Sequence, residues 1–416
     1  MPLPKILRDL LSVPTAAFVE SAVMEYVRRF CRRTAGVSAR FDRYGNLLAR
    51  YRNRPRAVTP LVFSAHTDHP GFIAQEMLDE RTLRAAFRGG VAAEYFANAK
   101  VRFWSDGRQV NGKVLEVTKA RRVRRGAETR YVPEETTLRV RVAVEGNSPG
   151  MWDLPAAFER DGNVYARDCD DIAGCAAMLA LLNRLSRRKA RADVYCLFTR
   201  AEEVGFIGAI GAAKAGTVSK KWPIIAIETS SELPNARIGD GPILRVGDRM
   251  SVFTPSVTAF CDRVAQKLIK RRKRFHFQRK LMDGGSCEST AFAAYGYLAT
   301  GICLALGNYH NMDESRQKIA CEYISLEDWK LMVDWFEALV LDETGYQADD
   351  PTVREGFDES FAKWLPLLEG KKSGMAGSEV GKYSPRSQPR RAASLPTLRN
   401  HSNVRRYRRI ARCGSG

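Results

Sequence analysis

Five short apolar runs in this chain each lead into a histidine or carboxylate side chain. Leu61–Ala65 runs into His66 and Asp68, Val164–Arg167 into Asp170 and Asp171, and Val194–Thr199 into Glu202 and Glu203. Ile224–Ile227 runs into Glu228, and Ile302–Leu306 reaches His310 after a turn. Runs of this length and composition read as buried strands of an open α/β sheet, where ligands bind just beyond the carboxyl ends of the strands. The chain has only five histidines. Two of them at strand ends, with carboxylates at the other ends, are the side chains that two divalent metal ions require.

Length and composition set the frame. A chain of 416 residues, 44% hydrophobic, buries a large core and has room for two domains plus extras. No apolar stretch approaches the roughly 18 residues that span a bilayer, so no membrane association is expected. At the N-terminus Ile6, Leu10 and Leu11, then Val19, Val23 and Val27, are spaced for amphipathic helices and interrupted by charges. That pattern is expected to be mature structure rather than a signal peptide. Nine scattered cysteines form no C-x-x-C pair, and several sit inside apolar runs as small hydrophobes. A reduced, cytoplasmic setting follows.

The formal charge of +20 has an uneven origin. From Gly370 to Gly416 there are twelve Lys and Arg against one acid, Glu379. That tail is rich in Ser, Pro and Gly, lacks periodicity and is expected to be disordered. Elsewhere the charge is spread, with local runs at Lys119–Arg130 and Lys270–Lys280.

Along the chain, helices give way to a strand over Ala39–Arg50 with a Gly45-Asn46 turn, then to the run at Leu61. From Gly71 to about Gly150 residues alternate, with turn signals such as Asn111-Gly112 and almost no helical periodicity. After Asp170 the style changes. Ile172–Leu185 is apolar on nearly every face, hence a buried helix, and strands and helices then alternate to about Glu343. The expected fold is α/β: a doubly wound, mixed-sheet catalytic domain interrupted by a small β-barrel domain. Its boundaries read 1–75 and 164–348 for the catalytic parts, 76–163 for the insertion, and 349–416 for a linker and basic tail.

Each candidate has an ordinary reading beside the chemical one. Asp68 stands two residues after His66, where its carboxylate can accept the second imidazole N–H and fix the tautomer. Of Asp170 and Asp171, one is expected to cap the following helix, most simply Asp171, and the other to bridge metals. The adjacent pair Glu202-Glu203, beside a buried strand and a Gly-containing turn, suits a general base next to a ligand. Two divalent ions are balanced in charge by Asp170, Glu203, Glu228 and a bridging hydroxide, which avoids burying net charge.

These segments, in this order, resemble one family: the M42 metallo-aminopeptidases (glutamyl/leucyl aminopeptidase-like), relatives of the M20 and M28 di-zinc peptidases. The resemblance runs over about residues 5–345 and includes AHTDHPGFIAQ (65–75), RDCDDIAG (167–174), FTRAEEVGFIGA (198–209), IAIETSS (225–231), GDGPILRVGD (239–248), GGSCESTAF (284–292) and GNYHNMDE (307–314). It implies one metal on His66, Asp170 and Glu228, and another on Asp170, Glu203 and His310. Asp170 then bridges, Asp68 orients His66, and Glu202 is the general base. The metals implied are zinc or cobalt. The insertion would match a PDZ-like dimerisation domain, the substrates short peptides, and the assembly anything from a dimer to a hollow dodecamer. Several positions depart from the family pattern: Ile172 in place of Arg, Glu228 where Asp is common, His69-Pro70, Ser286-Cys287-Glu288, and Asn311-Met312-Asp313 after the last His. All ligand types are retained.

Two rival readings remain. A di-metal deacetylase or amidase would use the same site, and cleavage of unblocked but not N-acylated peptides separates the two. A nucleic-acid-binding protein working through the Arg-rich segments ranks well below both, because it leaves the ligand set unexplained.

Overall fold

Residues 3–55, 58–125, 128–348 and 351–369 are described by the structure, a computed structural model. The chain opens with α1 (Lys5–Leu10) and α2 (Ser21–Arg33), whose Val23, Met24, Val27 and Cys31 make one buried stripe. Next come β1 (Val37–Phe41) and β2 (Leu47–Asn53), an antiparallel pair joined at Gly45, whose φ of 82° suits glycine. The first central strand is β3 (Leu61–His66), buried at all six positions.

Six strands then close a barrel: β4 (Gly71–Met77), β5 (Thr82–Arg88), β6 (Lys100–Ser105), β7 (Arg108–Arg125), β8 (Glu128–Val140) and β9 (Pro149–Trp152), in the order β4-β5-β8-β7-β6-β9. Closure removes the exposed edges that a small sheet would otherwise present. Phe72, Phe87, Phe96, Phe103 and Trp152 fill the interior, with Phe72 in ring contact with the other four at centroid distances of 4.9, 5.9, 6.4 and 5.0 Å.

Two short strands follow, β10 (Ala157–Arg160) and β11 (Asn163–Ala166), then α3 (Cys169–Arg187), β12 (Ala192–Thr199), α4 (Ile207–Ala215), β13 (Ile224–Ser231), β14 (Ile243–Asp248), α5 (Pro255–Arg271), β15 (Gln278–Met282), α6 (Glu288–Ala294) and β16 (Ala299–Leu306). The small hairpin β17 (Met312–Asp313) and β18 (Lys318–Ile319), then β19 (Glu322–Ser325) and α7 (Leu326–Leu341), complete the first unit. The central sheet has eight strands in the order β1-β2-β12-β3-β13-β16-β14-β15. β12, β3, β13 and β16 run parallel, while β2 and β14 join them antiparallel.

Helices cover both faces of this mixed sheet. Leu61, Phe63 and Ala65 of β3 pack into the cluster holding Leu179 of α3, Val264 of α5 and Trp335 of α7. Val62 of the same strand faces the other way, into the cluster of Ala209 and Ala212 of α4 and Phe292 of α6. Ser64 and His66 share the Val62 side, so the alternation of β3 delivers a histidine to the end of that face.

Two expectations need correction. The strand at Val164 does not belong to the central sheet; β11 lies in a separate three-stranded sheet, β10-β11-β19, pairing antiparallel with both neighbours. Its half-buried alternation, unlike the continuous burial of β3 and β16, marks the difference. Residues 351–368, expected as linker, form a helix, α8 (Pro351–Leu368), which belongs to a second compact unit. Phe357, Phe361, Trp364 and Leu368 recur at helical spacing there. The basic tail from 370 onward lies outside the described residues. Among the described residues no helix is long and apolar enough to cross a membrane.

Because Phe72 is the hub of the barrel interior, Phe72→Ala is expected to cost about 3–5 kcal/mol of stability, as large-to-small changes of buried aromatics do. Urea denaturation followed by tryptophan fluorescence, to which Trp152 of the barrel contributes among six tryptophans, checks this. An unchanged midpoint would show that the barrel core does not depend on that ring.

Candidate metal centre

The site forms where three parallel strands end side by side. His66 is the last residue of β3, paired with Thr199 at the end of β12. Glu228 lies inside β13, two residues beyond the Ser64–Ala226 pair, rather than after the strand. Glu202 and Glu203 sit in the short turn after β12, entered through Ala201 and left through Gly205, both left-handed. Asp170 starts α3, but its φ and ψ (−86°, 111°) and those of Asp171 (−113°, 34°) are not helical, and the peptide between them is cis. The regular helix therefore begins at about Ile172. His310 follows β16 in a turn where Asn308, His310 and Asn311 all have positive φ (54°, 55° and 64°). Such backbone is uncommon outside glycine and persists only where surrounding contacts hold it.

These elements bring all the expected ligand candidates together. His66 Nε2 lies 3.4 Å from Asp170 Oδ1 and 3.9 Å from Glu228 Oε2. His310 Nε2 lies 3.8 Å from Asp170 Oδ2 and 3.3 Å from Glu203 Oε2. Asp170 thus presents one oxygen to each histidine. The ligand atoms of His66, Asp170 and Glu203 all fall within 4.8 Å of one another. Glu202 Oε2 stands 4.0 Å from His66 Nε2.

The donor set fits a divalent cation. His66 Nε2, Asp170 Oδ1, Glu203 Oε1 and Glu228 Oε1 are buried with no hydrogen-bond partner among the described residues. Leaving such groups unsatisfied is costly, and a cation is what satisfies all of them at once. The titration behaviour has the same cause. Burial pushes the Glu202 carboxyl up to about 8, the nearby Asp68, Asp170 and Glu288 adding to it against the pull of His66. Burial, then Asp170 and Glu202, raises Glu203; burial, then Glu202 and Asp170, raises Glu228. For Asp170 burial acts upward too, but His66 and then His310 and His69 outweigh it and hold the carboxyl low. Burial drops His310 to about 4, so its ring is neutral and ready to ligate.

Neighbouring side chains fix this geometry. His66 Nδ1 donates to the Asp68 carbonyl oxygen at 3.0 Å, with the Asp68 carboxylate farther off at 3.6 Å. That carboxylate instead accepts the backbone N–H groups of Glu202 (2.9 Å) and Glu203 (3.1 Å). Asp68 therefore orients His66 through its backbone and the glutamate turn through its side chain. Asp171 does not cap α3: both its carboxylate oxygens lack a hydrogen-bond partner. They crowd Gly174, where a Cβ would lie 2.4 Å from Oδ1.

Three positioning residues escaped the sequence reading. Glu322, fully buried on β19, accepts the N–H of His310 (2.8 Å) with one oxygen and that of Asp170 (3.1 Å) with the other. His69 Nδ1 reaches the Asp170 carbonyl at 2.6 Å, and its Nε2 faces Asn311 Oδ1 at 3.0 Å. Asn311 in turn donates to the carbonyls of Arg167 and Ala320. His69 and Asn311 stood out only as departures from a pattern, and Glu322 gave no signal.

A cluster of two histidines and carboxylates at the strand ends of this mixed sheet is the site of a metal-dependent hydrolase. The model of the M42 glutamyl aminopeptidase family matches residues 45–318, more than half of the chain, and the chain belongs to that family. A putative aminopeptidase of Acetivibrio thermocellus is 25% identical over 293 residues, covering 66% of this chain and 82% of that protein. A lysyl aminopeptidase of Pyrococcus furiosus is 25% identical over 250 residues, covering 55% and 68%. Two solved structures share the fold. An aminopeptidase from the archaeon Desulfurococcus kamchatkensis has a TM-score of 0.65 at 20% identity, over 81% of this chain and 93% of that one. The TET1 peptidase of Pyrococcus horikoshii has a TM-score of 0.64 at 18% identity, over 81% and 99%.

Asp68→Ala removes the acceptor of two turn N–H groups and leaves every ligand candidate in place. Metal affinity, measured by competition with a chelator, is expected to fall about 10–100-fold, the usual effect of losing such a partner. Unchanged affinity would show that the Glu202-Glu203 turn holds itself.

Proposed function

We propose that this metal-dependent aminopeptidase removes N-terminal residues from short peptides with a water activated between two divalent metal ions. His66, Asp170 and Glu228 would hold one ion and Asp170, Glu203 and His310 the other, zinc being the first choice and cobalt suiting the same N/O donors. Bound there, the pair supplies a lowered pKa for a shared water and polarisation of the scissile carbonyl. Glu202 is the general base: buried, with a carboxyl of raised proton affinity, it takes the proton of the attacking water and passes it to the leaving amine. The remaining carboxylate surface of the pocket favours the free α-ammonium group of the substrate, which limits cleavage to the chain end. The observation that carries this reading is Asp170 facing His66 with one oxygen and His310 with the other.

Family membership leaves the preferred residue open. The family description names glutamyl substrates, while the Pyrococcus furiosus relative is named a lysyl enzyme. On assembly, the Pyrococcus horikoshii TET1 peptidase forms a tetrahedron or a large octahedral shell. For this chain we propose a division of labour: 1–75 and 164–348 carry catalysis, and the insertion at 76–163, PDZ-like in the family resemblance, mediates self-association. Light scattering at micromolar concentration tests it, and a monomer would sink it. Eight unpaired cysteines among the described residues support a reduced, cytoplasmic setting.

Two variants separate the roles. Glu202→Gln keeps the shape but cannot take a proton, so both metals should remain while turnover falls at least about 10²–10⁴-fold. Asp170→Ala should lose both metals together by elemental analysis, since one carboxylate serves both positions. Wild-type turnover in the first, or two ions per chain in the second, would refute the corresponding role. Cleavage of N-acetylated peptides as readily as free ones would shift the reading to the amidase alternative.

A further inference from the structure

Three helices end side by side at the end of the central sheet away from the metal centre, and all three end in basic residues. The last turns hold Arg32 and Arg33 in α2, Arg184 and Arg187 in α3, and Lys270 and Arg271 in α5. Ser186 Oγ donates to the Ala35 carbonyl at 2.7 Å, which ties the end of α3 to the end of α2. Arg184 of α3 and Arg272 after α5 donate to the two oxygens of one carboxylate, Asp334 of α7, at 2.6 and 2.7 Å. β12 starts at Ala192, just past this cluster, and ends at Thr199 beside His66. At about 1.5 Å per residue, the regular part of α3 from Ile172 to Arg187 puts the cluster roughly 20–25 Å from Asp170.

The charge here exceeds what the fold uses, and the metal centre leaves it unexplained. From Arg263 to Met282 there are nine Lys and Arg and no acid, and from Arg184 to Arg191 five and no acid. The acids that meet them come from α7 and the residue after it. Asp334 takes Arg184, Arg272 and Arg274, Glu337 takes Arg184 and Arg188, and Asp342 takes Lys267. Arg33, Arg187, Lys189, Lys270, Arg271 and Lys273 are exposed and have no ion-pair partner among the described residues. A helix C-terminus carries about half a negative charge, so three of them account for only a small part of this surplus.

The surroundings of the charge narrow the partner. Phe275 and Phe277, which interrupt the basic run, pack on Trp335 at centroid distances of 6.0 and 5.1 Å, so their rings are engaged rather than open for a base to stack on. Ile269 is the one large apolar side chain exposed on these helix ends among the described residues, too little to enter a lipid surface. What remains is fixed positive charge on rigid helix ends, which suits phosphates met along a duplex backbone. We propose that the joined ends of α2, α3 and α5 bind the phosphate backbone of a nucleic-acid duplex, without reading its sequence, as a second function remote from the metal centre.

The test uses the full-length, metal-loaded protein and a fluorescein-labelled 20-base-pair RNA duplex, with a DNA duplex of the same sequence beside it, followed by anisotropy over a salt series. At least one duplex should bind with a Kd of roughly 10⁻⁶ M or tighter at low salt, and log K should fall linearly with log salt. The double reversal Arg187→Glu with Lys273→Glu should weaken binding about tenfold or more and lower the salt slope by about two, one for each lost phosphate contact. The same charge change on the barrel, Arg122→Glu with Arg139→Glu, should cost less than about threefold, since distant exposed charges are screened. The basic segment after Glu369 is present in both variants, so it cannot produce a difference between them. Should the double reversal fail to fold, Arg187→Gln with Lys273→Gln should lower the slope by the same amount while the melting temperature holds. No duplex binding, equal losses in the two reversals, or binding to phosphatidylserine vesicles but to neither duplex overturns the proposal.

Discussion

One buried carboxylate, Asp170, governs this structure. Its two oxygens face two histidines from opposite ends of the molecule's chain, one at the end of β3 and one after β16. Packing several carboxylates around it in a buried place is unfavourable unless cations neutralise them. The surrounding residues answer to that constraint. Glu322 holds the backbone of both Asp170 and His310, His69 holds the Asp170 carbonyl, and Asp68 holds the turn that presents Glu202 and Glu203. None of these needs to touch a metal. They fix in place the atoms that would ligate a metal, which would lower the cost of binding one.

Parts of this were legible in the sequence, and the reasons differ. Strands β3, β12, β13 and β16 are buried on both faces, so they appear as near-continuous apolar runs. The residues at their ends were therefore visible as exceptions. His66, Glu202, Glu203, Glu228 and His310 could all be picked out that way, and the structure gathers them with Asp170. β11 was misplaced because a four-residue strand carries too few positions to reveal which sheet it joins. Asp171 looked like a helix cap because Asp at a helix start usually is one. Its unpartnered oxygens depend on the backbone at Asp170 and Asp171, which no local pattern encodes. Glu322 sits in the separate three-stranded sheet and meets Asp170 only through tertiary contact, so no spacing rule reaches it.

The small sheet β10-β11-β19 explains how the start of α3 is tied to the His310 turn. β11 leads directly to Asp170, and β19 carries Glu322. Pairing these strands, with Ala166 opposite Glu322, sets the start of α3 beside the acceptor that also takes the His310 N–H. The bond matters most at His310, whose left-handed backbone would otherwise relax. A strand that contributes nothing to the main sheet thus sets Asp170 against the His310 turn.

The barrel, although an interruption of the α/β domain in sequence, takes part in the site. The Gly90 carbonyl, between β5 and β6, accepts from His310 Nδ1 at 3.2 Å, which leaves Nε2 to face Asp170 and Glu203. A Cβ on Gly90 would lie 3.2 Å from that same Nδ1, so a larger residue would press on the ring. Arg121 of β7 and Arg130 of β8 line a cavity of about 590 Å³ together with His310 and Tyr309. Tyr309 stacks on His310 with ring centroids 3.7 Å apart. One histidine is therefore fixed by the barrel, by Glu322 and by an aromatic neighbour at once. Removing the insertion would take away the Nδ1 acceptor of His310 while leaving Glu322 and Tyr309, so the barrel sets the orientation of the ring rather than its place.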